Sequence, residues 1–78
     1  MPLGTKATVT VENHDGSGGA ACHFKLFSDG KEILNLDVSP GDTATKDFAN
    51  PTRGDVEYSI HNANILYNAV CTIRFYGL

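Results

Sequence analysis

The chain has 78 residues, a formal net charge of -3 and a sequence pI near 5.4, with its Lys and Arg scattered from Lys6 to Arg74. That length holds one domain, residues 1–78, with a thin apolar core for which additional cross-links are expected. The charge balance argues against nucleic acid and anionic membrane surfaces as partners, and no apolar run approaches the roughly 20 residues of a spanning helix.

Apolar and polar residues alternate with period two and are interrupted by Gly, Pro, Asn and Asp clusters, which predicts an all-β chain of about six or seven short strands. The fold expected is a small two-layer antiparallel sandwich of immunoglobulin-like type. The first strand, 6–12, turns Ala7, Val9 and Val11 to the core and Thr8, Thr10 and Glu12 to water. The glycine-rich stretch 13–19 is a connection. A second strand, 20–27, sends Cys22, Phe24 and Leu26 inward.

The Ser28-Asp29-Gly30 turn admits two registers. A two-residue loop sets Phe24 opposite Asn35 and mixes the faces. A three-residue loop with Gly30 left-handed sets Phe24 against Leu34, Cys22 against Leu36 and Lys25 against Ile33, and is therefore preferred. The third strand is then 31–38. Ser39-Pro40-Gly41-Asp42 forms a turn in which proline presets one torsion and glycine accepts the positive one. Strand four, 43–48, turns Ala44 and Phe48 inward, and strand five, 56–61, turns Val56, Tyr58 and Ile60 inward. The segment 62–68 reads as a loop or a short extra strand. The last strand, 69–76, sends Cys71, Ile73 and Phe75 to the core.

Cys22 and Cys71 both fall on inward faces of their strands, as a bond between strands or sheets requires, so a Cys22–Cys71 disulfide is expected. The N-terminal residues lack the layout of a secretory signal, yet the disulfide places the protein in an oxidising setting. The expected location is secreted or extracellular, with the signal peptide not present in this chain.

Catalytic chemistry finds little support. Ser17, His61 and Asp55 supply the residue types of a triad but no nucleophile elbow or oxyanion hole. His14, His23 and His61 read as isolated surface histidines, although His23 and His61 would meet if strands two and five were neighbours. The loop 13–19 offers Asp15 as its one carboxylate for calcium, and the two cysteines lack the spacing of a zinc site. The expectation is no enzyme, no cofactor and no metal. Phe27, Ile33, Val70 and Tyr76 are predicted to point outward, with Tyr67 and Leu78 joining them. Of these six, Phe27, Ile33, Tyr67, Val70 and Tyr76 are the candidate ligand surface.

The strings Val9-Thr10-Val11-Glu12-Asn13-His14-Asp15-Gly16, Phe24-Lys25-Leu26-Phe27-Ser28-Asp29-Gly30-Lys31 and Val38-Ser39-Pro40-Gly41-Asp42-Thr43 resemble bacterial immunoglobulin-like adhesion modules of the CARDB type. Those modules carry a V-x-N-x-G strand end, an F-x-L-x-x-D-G-K hairpin and a P-G turn. The likeness covers about the first two thirds of the chain and implies attachment at cell surfaces. The disulfide and the ending 68–76 depart from that pattern, and the chain lacks the tryptophan and tyrosine of antibody domains.

The function expected is therefore a non-catalytic extracellular binding module that recognises a protein or carbohydrate surface. The alternatives are a small secreted effector, either a hydrolase inhibitor or a toxin-like antimicrobial protein, and a self-assembling structural subunit, a homo-oligomer joined through an open sheet edge.

Overall fold

A computed structural model describes residues 3–15, 19–62 and 70–77. Six strands follow in chain order: β1 (Lys6–Asn13), β2 (Cys22–Ser28), β3 (Lys31–Val38), β4 (Thr43–Ala49), β5 (Val56–Asn62) and β6 (Cys71–Tyr76). They form two antiparallel three-stranded sheets, sheet A in the order β4-β1-β6 and sheet B in the order β3-β2-β5. The fold is the predicted two-layer sandwich. Among the described residues no helix is long and apolar enough to cross a membrane.

The two central strands carry the core. β1 buries Ala7, Val9, Val11 and Asn13, and β2 buries Cys22, Phe24, Leu26 and Ser28, each on alternate residues, so each strand has one dry and one wet face. Val9, Val11, Cys22, Phe24, Leu26 and Val38 form the buried cluster, against which Phe48, Val56, Cys71, Ile73 and Phe75 pack. Phe75 stands edge-on to Phe48 and tilted to Phe24, with ring centroids 6.4 and 6.5 Å apart.

Strands β1 and β4 pair in one sheet while β2 and β5 pair in the other. Immunoglobulin-like sandwiches interlock in the same way, with strands B and E in one sheet and C and F in the other. Here β6 closes sheet A beside β1, where the first strand of such a domain would lie.

The β2–β3 hairpin corrects the predicted register. The loop has two residues, Asp29 and Gly30, with φ of 52° and 77°, the pair of positive torsions that a type I′ turn needs. Ser28 faces Lys31 and Phe27 faces Glu32, but Leu26 faces Leu34, because a bulge makes Ile33 the extra residue. Beyond it Phe24 faces Leu36 and Cys22 faces Val38, not Leu34 and Leu36. The two-residue loop conflicts with the apolar pattern only in an unbroken ladder; the bulge absorbs the conflict. Gly41, with φ of 81°, takes the predicted left-handed position in the next turn, closed by Asp42 N donating to Ser39 O at 3.0 Å.

The Cys22–Cys71 disulfide is present, with Cα atoms 6.0 Å apart. Since β2 lies in sheet B and β6 in sheet A, it joins the two layers, and since each cysteine is the first residue of its strand, it does so at one end of the core. The same end holds a polar cluster. Asn13 Nδ2 donates to the carbonyls of Val38 and Ala20, both at 2.9 Å, and Asn62 Nδ2 donates to the Ala20 carbonyl at 3.0 Å. The opposite end has its own buried group, in which the Ser28 hydroxyl donates to Asn50 Oδ1 and lies 2.5 Å from Thr52 Oγ1. Buried polar groups are tolerated when partnered in this way.

Candidate functional site

The structure disperses the predicted ligand surface. Phe27 lies on the outer face of sheet B, opposite Glu32 and Glu57. Tyr76 lies on the outer face of sheet A opposite Thr8 and is half-exposed. Phe27 and Tyr76 are thus on opposite sides of the sandwich and cannot share a patch. Ile33, expected to point outward, packs against the core instead, because the bulge turns it to the same side as Leu34. Val70 is half-buried just before β6, and its carbonyl accepts from His14 N at 2.8 Å. Tyr67 and Leu78 lie outside the described residues, as does most of segment 62–68.

Tyr76 neighbours Arg74. Its side chain hydrogen-bonds Arg74, which raises the guanidinium above its already high range, and Glu12 adds to this. Arg74 therefore remains a cation throughout the accessible pH range.

A different surface draws polar groups together. The outer face of sheet B carries His23 and Lys25 from β2, Asn35 and Asp37 from β3, and Ser59 and His61 from β5, and these six line an open trough of about 410 Å³. Strand register explains the convergence: His23 sits between Asp37 and His61, and Lys25 between Asn35 and Ser59. Two successive outward-facing rungs of a three-stranded sheet, separated by the inward Phe24 rung, therefore present six polar side chains on one face.

The trough has internal order. His23 Nδ1 lies 2.6 Å from Asp37 Oδ1; since a carboxylate only accepts, the ring donates from Nδ1 and leaves Nε2 directed elsewhere. The His23 and His61 rings stack, with centroids 6.2 Å apart and planes inclined by 19°. Lys25 Nζ lies 3.8 Å from Glu32 Oε1 at the margin. No hydroxyl or thiol among the described residues hydrogen-bonds the His23 ring, and no three of their His, Cys, Asp and Glu side chains converge as a metal set.

Of these six residues, His23 and His61 were legible as a conditional pair, and the condition, adjacency of the second and fifth strands, is met. Lys25, Asn35, Asp37 and Ser59 carried no signal beyond outward parity on their strands, and only the strand order brings them together. No family model matches the chain, and neither a curated protein nor a solved structure does.

Proposed function

We propose that this protein is a non-catalytic extracellular binding module whose ligand surface is the trough on sheet B, and that its ligand is a carbohydrate. The observation that carries this reading is the convergence of two imidazoles, an amide, a carboxylate, a hydroxyl and an ammonium around about 410 Å³, a volume within the usual range of small-ligand sites. Such a set offers donors and acceptors at short intervals, as a polyhydroxylated ligand requires, and the imidazole faces add apolar stacking surface.

A protein partner fits this surface less well, because protein interfaces concentrate their energy in a desolvated aromatic or aliphatic anchor, and the trough has none. The disulfide between the layers supports an oxidising location. The resemblance to cell-surface adhesion modules points the same way.

The test is a glycan array probed with the oxidised full chain. Asn35→Ala and Asp37→Ala, both at exposed outer positions, are expected to abolish retention while leaving thermal stability near that of the parent. Tyr76→Ala is expected to retain binding. Loss of binding in Tyr76→Ala with full retention in both trough variants would move the site to sheet A and overturn the assignment.

A further inference from the structure

We propose that His23 and His61 form a two-imidazole site for a divalent transition metal ion of the Zn²⁺ or Cu²⁺ class. The two residues are direct cross-strand partners on β2 and β5, which sets their Cβ atoms about 4.5–5.5 Å apart. Their rings already lie face to face on the open side of the sheet, with centroids 6.2 Å apart. A bound ion sits about 2.0–2.1 Å from each ligating nitrogen, so the two nitrogens must come within about 4 Å of one another. The movement this asks for is rotation of the exposed His61 side chain about its own bonds, with the backbone ladder unchanged.

Asp37 supplies the second observation. Its carboxylate accepts from His23 Nδ1 at 2.6 Å, which fixes the tautomer and leaves Nε2 as the free lone pair. This carboxylate–histidine arrangement is the usual outer-shell support of a metal-bound imidazole. Imidazole suits Zn²⁺, Cu²⁺ and Ni²⁺ and gives little hold on Ca²⁺ or Mg²⁺, which prefer oxygen sets. Water completes the coordination on the open side, since among the described residues no third ligand converges, so the ion exchanges readily and its affinity is modest. The competing donors in the chain are few: both cysteines are bonded to each other, and the third and last histidine, His14, is 3.1 Å from Glu12 on a different part of the molecule.

The site needs no saccharide, so it stands or falls separately from the ligand reading above. Isothermal titration of the oxidised full chain with Zn²⁺ alone is expected to give one ion per chain. His14→Asn keeps that stoichiometry, while His23→Asn and His61→Asn each weaken binding at least about tenfold, and Asp37→Asn weakens it about 10–100-fold. With Cu²⁺, electron paramagnetic resonance is expected to show coupling to two imidazole nitrogens, reduced to one in either histidine variant. His61→Gln replaces His61→Asn if the latter alters the near-ultraviolet spectrum of the metal-free chain. Zn²⁺ affinity unchanged in His23→Asn and His61→Asn, or abolished by His14→Asn, would overturn the assignment.

Discussion

The side-chain amide of Asn13 donates 2.9 Å to the carbonyl oxygen of Val38, a buried hydrogen bond that runs from sheet A to sheet B. The same nitrogen also reaches Ala20, which accepts in addition from Asn62 of β5. One amide thus ties the end of β1, the end of β3 and the approach to β2 together. Asn13→Ala takes this donor from the buried Val38 carbonyl and is expected to cost about 1–3 kcal/mol. Urea unfolding checks this: the midpoint falls while the slope stays that of the parent.

Reduction of the disulfide is expected to be the largest single loss of stability available without touching the apolar core. The bond spans a sequence separation of 49, for which the chain-entropy account gives roughly 4 kcal/mol. The measurement is the urea midpoint with and without a reductant, together with intact mass in non-reducing buffer. A mass equal to that of the fully reduced chain would exclude the bond.

Gly30 takes φ of 77° in open space, with nothing near the position of an added Cβ. Gly30→Ala therefore carries only the left-handed backbone penalty, about 1–2 kcal/mol. Deletion of Ile33 gives the complementary result. The turn still sets Phe27 opposite Glu32, and Leu34 still falls opposite Leu26, now in an unbroken ladder. The shortened chain is expected to fold with its disulfide and to lose only the contacts Ile33 makes with the core, observable as an intact oxidised mass with a lowered melting temperature.

Lys46 occupies an inward register position opposite Val9 on β4, yet it is exposed because β4 is an edge strand. An inward-pointing charge on an edge discourages strand addition by another copy. Lys46→Ile is expected to promote self-association, seen as a concentration-dependent rise in sedimentation coefficient that the parent lacks.

The layered architecture was readable because on the two central strands parity decides which side chains are dry: Val9, Val11, Cys22, Phe24 and Leu26 alternate without interruption and all are buried, whereas on the edge strand β5 Tyr58 and Ile60, also expected inward, are exposed. Register was less accessible. The choice between hairpins assumed an unbroken ladder, and a bulge at Ile33 leaves no mark in a run where Ile33 and Leu34 are both apolar. The trough was not readable at all as a unit, since strands distant in sequence contribute to it and nothing local to Asn35, Asp37 or Ser59 announces their common face. His23 and His61 were legible as outward residues that meet only if strands two and five are neighbours, and strand order is not written in either local segment.

The placement of the disulfide has a mechanical consequence. β1 and β6 are antiparallel neighbours, and Lys6 and Tyr76 lie at the end of the sandwich opposite Cys22 and Cys71. A load applied through Leu3 and Gly77 peels β1 from β6 one rung at a time and then meets the covalent bridge. Force passes from Cys22 directly to Cys71, and the chain between them, with the hairpin and β3, β4 and β5, carries no tension. An oxidised molecule therefore has a short, fixed extension under load, and a reduced one pays out its full contour.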